Sequence, residues 1–208
     1  MLAPVPMIGA VVARLLFVDL AALQLLAGLP HPDQKFVSDG KQVYLEATGD
    51  RVLELRGEGA RIALLPLDLL EEPDVLPTHA ELDAFFQRQS VIDRILRSDA
   101  GEIVTTRGVV PLTYHVERLP GQLIFWIQLF VANIGLLVGV AVWTFQRSNV
   151  AARHFAVTGL GLAIASMAAG LYSSRPLALD GFAFEMLSQT NFLGTCIFCA
   201  GFFCIMMN

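Results

Sequence analysis

The sequence predicts an integral membrane α-helical protein: four transmembrane helices, with a small α+β extracytoplasmic domain inserted after the first. Three observations carry that prediction. The 208 residues are 55% hydrophobic and 16% charged, against roughly 45–50% and about 25% for an ordinary soluble domain. The charges are segregated, with 26 of the 33 Asp, Glu, Lys and Arg residues in 31–120 and seven in the other 118 residues. Finally, the flanks hold four apolar stretches at or near the ~20 residues that a helix needs to cross ~30 Å of hydrocarbon at ~1.5 Å per residue. The chain therefore divides into a first transmembrane helix at 1–30, a polar domain at 31–120, and transmembrane helices two to four at 121–208.

Segment one runs from Ala3 to Leu29 and is closed by Pro30, His31 and Pro32. It contains Arg14 and Asp19, charges that are expensive within a bilayer and usually face a helix bundle. Five residues of helix set them about 140° apart, which disfavours a direct pair. Arg14 is expected to snorkel to the cytoplasmic headgroups, leaving Asp19 as the immersed group. Cleavage as a signal peptide is the competing reading, but no A-x-A site follows and Asp19 interrupts the apolar run.

Residues 31–120 show the punctuation of a small α+β domain. Phe36–Val37, Gln42–Ala47, Arg51–Leu55 and Arg61–Leu65 are strand-like runs separated by Ser38-Asp39-Gly40, Gly49-Asp50 and Gly57-Glu58-Gly59. The period then changes. From Thr78 the apolar residues Leu82, Phe85, Phe86, Ile92, Ile95 and Leu96 follow a helical spacing, and Thr78 with Glu81 forms a capping box. Glu102–Thr106 and Val109–Val116 read as two returning strands, and Pro120-Gly121 as the re-entry to the membrane.

Segment two, Gln122–Phe145, contains no ionisable group. Its Gln128 and Asn133 are candidates for hydrogen bonds across helices. Segment three, Phe155–Tyr172, carries Gly159, Ala163, Ser166 and Gly170 at three- and four-residue steps, a surface that admits another helix closely. The loop Ser173–Gln189 mixes apolar residues with Arg175, Asp180 and Glu185; it is read as a connector, or as a stretch lying on the outer membrane surface. Segment four is Thr190–Met207. The polar groups in or near the membrane are thus Arg14, Asp19, Gln128, Asn133 and Arg175. Arg147 and Arg153, in Gln146–His154, mark that loop as cytoplasmic by the positive-inside rule, so residues 31–120 are expected outside.

No catalytic signature is present: no G-x-x-x-x-G-K-[ST], no G-x-G-x-x-G after a strand, no H-E-x-x-H and no G-x-S-x-G. The formal charge of −5 argues against a nucleic-acid partner. Of His31, His79, His115 and His154, none lies in a membrane segment, which excludes an intramembrane bis-His haem. His79 and His115 could meet in the middle domain but bring no third ligand. Cys196, Cys199 and Cys204 lie in an apolar run with no basic neighbour to activate a thiol. No metal and no cofactor is expected.

The stretch EEPDVLPTHAELDAFFQRQ, followed by a two-stranded return and then by Leu119–Leu179, LPGQLIFWIQLFVANIGLLVGVAVWTFQRSNVAARHFAVTGLGLAIASMAAGLYSSRPLAL, resembles the sensor region of membrane-bound bacterial histidine kinases of the competence-kinase type. Their PDZ-like extracytoplasmic domain follows the first membrane helix. The resemblance covers nearly the whole chain and rests on layout. It implies a PDZ-like fold for residues 31–120, a bacterial inner-membrane location, a homodimer, and an unknown signal ligand or periplasmic protein as partner. Signals would pass through the bundle to a kinase core outside these residues. The end at Met207-Asn208, without a charged anchor, is expected where a longer chain continues. A Gly-Leu-Gly-Phe-like carboxylate loop is absent, so no peptide-binding residues are assigned. A different class of function, a small integral-membrane scaffold or assembly protein presenting residues 31–120 to partners, fits the same composition. A transporter fits less well, since segments two to four lack charged or broken helices.

Overall fold

The computed structural model describes residues 4–116 and 122–207. The chain folds as two compact units: one of residues 1–26, 120–174 and 186–208, the other of residues 27–119 and 175–185. The predicted return at Pro120-Gly121 lies outside the described residues.

The first unit holds the apolar helices α1 (Pro4–Ala27), α3 (Leu123–Phe145), α4 (Val150–Ser173) and most of α5 (Gly181–Met206). All four are long and apolar enough to cross a membrane, and the chain is a multi-pass membrane protein by that measure. Two boundaries differ from the sequence reading. The third segment starts at Val150 because Asn149 caps it, accepting a hydrogen bond from Ala151 N at 2.9 Å; Arg153 and His154 are therefore helical. The fourth segment starts at Gly181 rather than Thr190, so half of the expected loop is helix.

Helix α4 is the most buried of the four, and glycine is the reason. A Cβ on Gly159 would overlap the Gly135 carbonyl of α3. On its other side, one on Gly194 of α5 would come within 2.5 Å of Ala165 N, and one on Gly201 within 2.5 Å of Thr158 Oγ1. Without a hydrophobic drive between helices in lipid, such backbone approach is what holds them. The predicted row of small residues is buried: Ala163 and Ser166 are nearly inaccessible, and Gly170 lies against the Gln128 side chain.

The second unit is α+β. Strands β2 (Phe36–Ser38), β3 (Val43–Leu45), β4 (Arg51–Gly57), β6 (Glu102–Thr105) and β7 (Gly108–Pro111) form one antiparallel sheet in the order β2-β3-β4-β6-β7, with β5 (Ala60–Ile62) also paired to β4. A separate two-stranded ribbon joins β1 (Pro30–Pro32) to β8 (Tyr114–Val116). The sequence reading took Pro30-His31-Pro32 only as the close of segment one. Two prolines can sit in a strand when it lies at an edge, where missing N–H donors leave no ladder bond unmade.

Helix α2 (His79–Leu96) covers the sheet. Thr78 caps it as predicted, its Oγ1 accepting from Glu81 N at 3.2 Å; in place of the capping box's return bond to the Thr78 backbone, Thr78 Oγ1 donates to Glu81 Oε2 at 2.9 Å. Ile92, Ile95 and Leu96 join Val43, Leu45, Val52, Leu55 and Ile103 in the core. Between β5 and α2 run two 3-10 turns, Pro66–Leu69 and Pro73–Val75. Asp68, fully buried, ties the first turn to α2: Arg88 donates to it through Nε and Nη2 at 2.7 and 2.6 Å.

Candidate functional site

The segment between α4 and α5, which the sequence reads as a connector or as a stretch on the outer membrane surface, is more than a plain connector. Residues 175–185 fold into the α+β unit. Leu177 and Ala178 belong to its hydrophobic core, and Leu179 is 3% exposed. The reason is local composition. A stretch with six apolar side chains in eight residues (Leu177, Ala178, Leu179, Phe182, Ala183 and Phe184) gains more from a core than from water, at ~25 cal/mol per Å² of apolar surface.

Two polar devices hold the segment in place. Arg175, expected as an interfacial or intramembrane contact, is 7% exposed, and its guanidinium donates to Glu71 O at 3.1 Å and to Leu70 O. These carbonyls lie just before the second 3-10 turn, where no helix or ladder partner serves them. Arg175 Cζ also lies 4.3 Å from the centre of the Phe184 ring, a cation–π arrangement. At the other end, Asp180 caps α5 by accepting from Ala183 N at 3.2 Å, while Gly181 N donates to Ser90 Oγ of α2 at 2.9 Å.

Phe184 is the apolar anchor. It is fully buried and meets Phe85 and Phe86 of α2 edge-on, at centroid distances of 5.3 and 5.6 Å; those two rings are themselves 5.7 Å apart. Edge-to-face packing sets a ring's positive rim against a neighbour's negative face. Gly181 is required by space, since a Cβ there would overlap Phe86 O and come within 2.5 Å of Ser90 Oγ. Beside this seam opens a shallow cleft of about 210 Å³, lined by Asp83, Phe86, Ser90 and Glu185 among others. That is smaller than the ~300–1,000 Å³ of a typical ligand pocket; it would take a group the size of one side chain.

The remaining predicted polar residues lie in the helical unit. Asp19 and Asn133 are brought together: Asn133 Nδ2 stands 3.1 and 3.3 Å from the Asp19 carboxylate oxygens and 2.8 Å from Leu129 O. A neutral amide that donates to a carboxylate satisfies part of its hydrogen-bonding need away from water. Arg14 is exposed on α1, and Gln128 packs against Gly170. A pair outside the earlier reading, Asn191 Nδ2 to Tyr172 Oη at 2.7 Å, links α4 and α5. Cys196 and Cys199 are exposed on α5.

His115, which from the sequence could have met His79, is set beside another histidine. His79 opens α2, whereas β8 sets His115 opposite His31. Among the described residues, no group of three or more His, Cys, Asp or Glu side chains is arranged to hold a metal ion.

The signal for the seam was present in the sequence, in an apolar run between Arg175 and an Asp180-Gly181 helix start. It was obscured because the nearest sequence neighbours are membrane helices, while the partner helix α2 lies some 90 residues away.

No protein-family profile, curated protein or solved structure matches the chain.

Proposed function

We propose that the chain is the sensor module of a bacterial inner-membrane signal-transduction protein, of the histidine-kinase class, with the α+β unit as a PDZ-like input domain on the extracytoplasmic side. The observation that supports this reading is connectivity. The α+β unit is joined covalently to the C-terminal ends of α1 and α4 and to the N-terminal ends of α3 and α5. In a chain that alternates direction across a bilayer, those four ends share one face. A ligand or partner that alters the α+β unit therefore acts on all four membrane helices at once, whereas a domain carried on a single tether could change shape without loading the bundle. The 175–185 segment is the decisive joint, because it converts two tethers into four.

That the sequence carries none of the common catalytic motifs is consistent with an input role. So is an antiparallel sheet covered by one helix, which has the ingredients of a PDZ-like domain. By this mechanism, a change at the α2 seam shifts the balance between two packings of the helices, and the shift reaches only as far as the signal's differential affinity for the two states. Arg147 and Arg153 near the α3–α4 turn support placement of that turn in the cytoplasm.

The test joins residues 1–208 to a histidine-kinase core through four linkers differing by one residue each, and reads autophosphorylation in proteoliposomes. Phe184→Ala should change the level at least about threefold in one or more linker phases, since a two-state shift of that size needs only ~0.65 kcal/mol. Phe203→Ala, exposed on α5, should leave it unchanged. Equal phosphorylation of wild type and Phe184→Ala in every phase, with hydrogen exchange showing the seam released, would overturn the proposal.

A further inference from the structure

The shallow cleft beside the α2–α5 seam contains two groups that the packing of the seam does not use. On α2, Asp83, Phe86, Gln87 and Ser90 line it, at the three- and four-residue steps that place side chains on one helix face. Phe182 and Glu185, in the first turns of α5, line it from the other side. All six belong to the α+β unit. Phe86 and Ser90 hold the seam, whereas Phe182 and Asp83 contribute nothing to it. The Phe182 ring is 71% exposed, and Asp83 is exposed with no hydrogen bond or ion pair among the described residues.

We propose that this cleft is a docking pocket for one arginine side chain of a basic polypeptide partner. A guanidinium matches two of its walls: its flat cationic face can lie on the Phe182 ring, and its N–H donors are arranged to meet a carboxylate such as that of Asp83. The Gln87 amide oxygen can accept a further donor, and the apolar stem of the arginine can lie along the rim of Phe86. A cleft of about 210 Å³ holds one such side chain and little more. The rest of the affinity has to come from outside it, so the occupant is a polypeptide and not a free small cation.

The chain around the cleft carries the complementary charge. Between Ile62 and Gln87 the sequence holds six Asp and Glu residues and no Lys or Arg. Asp68 is buried against Arg88. The other five, Glu71, Glu72, Asp74, Glu81 and Asp83, are exposed, and none forms an ion pair among the described residues. Glu185, which already has an interaction within the chain, adds negative charge to the opposite wall. Arg94, one turn beyond Ser90 on α2, does not line the cleft. A concave site bordered by charge of one sign focuses the field and speeds capture of an oppositely charged partner.

The location gives binding a consequence. The floor of the cleft is the joint at which Gly181 N donates to Ser90 Oγ at 2.9 Å. An arginine held between Asp83 of α2 and Phe182 of α5 would fasten the two helices across that joint, and so would bias the contact through which the α+β unit meets α5. This consequence rests on the sensor reading. Binding itself is measured without a kinase core, so failure of the one is distinguishable from failure of the other.

The experiment uses the full chain in phosphatidylcholine nanodiscs and a fluorescein-labelled peptide, Gly-Gly-Arg-Gly-Arg-Gly-Gly, followed by fluorescence anisotropy. Far-ultraviolet circular dichroism checks the fold of each variant. Saturable binding of one peptide per chain is expected. Citrulline in place of both arginines, which keeps the shape and removes the charge, should weaken binding by about tenfold or more. Asp83→Asn should weaken it by about fivefold or more, and Phe182→Ala by about threefold. Glu58→Gln, an equal change of charge in the turn between β4 and β5, should bind as the parent does. N-acetylarginine amide should compete about tenfold less well than the unlabelled peptide. Absence of saturable binding, equal binding of the citrulline peptide, undiminished affinity in folded Asp83→Asn or Phe182→Ala, or a loss in Glu58→Gln equal to that in Asp83→Asn would each overturn the proposal. So would competition by N-acetylarginine amide as strong as the peptide's, which would make the occupant a free small cation.

Discussion

At Arg175 a guanidinium that is 7% exposed serves two carbonyl oxygens and covers an aromatic ring. Removing it would leave the Leu70 and Glu71 carbonyls without this donor. Arg175→Ala should lower the free energy that protects residues 175–185 from hydrogen exchange by about 1.5–3 kcal/mol, the usual worth of a charge-assisted hydrogen bond. Arg175→Lys should recover less than half of this, because a point ammonium cannot serve two carbonyls and stack on Phe184 together. Exchange at 175–185 that matches wild type in both variants would show that the clamp carries no weight. A second residue-scale effect concerns acid. Asp33 and Asp39 are both held below the ordinary carboxylate range, Asp33 by Thr113 and His115, Asp39 by the backbone N–H groups of Lys41 and Gln42. A lowered native pKa means that the unfolded chain binds more protons. The stability these carboxylates contribute is present above their unfolded pKa of about 3.9 and is lost as pH falls through the native values. Acid unfolding of the α+β unit, followed by tyrosine fluorescence, should therefore begin below about pH 4, and Asp39→Asn should flatten its pH dependence.

At the scale of elements, the first turn of α5 and the middle of α2 behave as one packed contact. Gly181 sits where the α5 backbone passes closest to α2. Gly181→Ala should destabilise that contact by about 1–3 kcal/mol, as overpacking against a backbone carbonyl that cannot move aside. The control is Gly9→Ala in α1, where an added Cβ meets nothing within 4 Å and where alanine improves helix propensity by about 1 kcal/mol. Protease resistance of the full chain separates the two: the Gly181 variant should be cut within 175–185 faster than wild type, and the Gly9 variant at the wild-type rate. Equal cleavage of both would mean that the close approach is not required. The elements that could be read from sequence share a physical trait, in that their signals are local. The four apolar helices follow from length and composition, α2 from its 3.6-residue period and the Thr78–Glu81 cap, and strands β2 to β7 from alternation between glycine-bearing turns. Pairings that join distant residues left weaker traces. Nothing local to Asp19 named Asn133, nothing local to Ala165 named Gly194, and Arg175 looked like an interfacial charge because its acceptors lie some 105 residues away. The ribbon strand β1 was missed because proline is counted against strands, and edges are where that rule relaxes.

For the whole molecule, the central claim is that the stretch between the last two membrane helices is structurally part of the α+β unit, so that one domain is tied to four helices. This places residues 27–116 and 175–185 in a single compact unit despite some 58 intervening residues. It also explains why a short hydrophilic connector would not serve in their place: Leu177, Ala178 and Phe184 complete a core that residues 27–116 leave open. The most direct measurement is disulfide trapping in native membranes, on the full chain with Cys196, Cys199 and Cys204 replaced by Ser and with the pair Ser90→Cys and Asp180→Cys introduced. Ser90 Oγ and Asp180 Oδ2 lie 3.4 Å apart, and neither position is in the apolar core. Mild oxidation should link the pair rapidly and nearly completely, visible as a gel shift after cleavage at an engineered protease site in the turn between α3 and α4, while the pair Ser90→Cys and Phe203→Cys should stay unlinked. Slow or absent linkage of the 90–180 pair under conditions where both thiols react with a soluble maleimide would contradict the account.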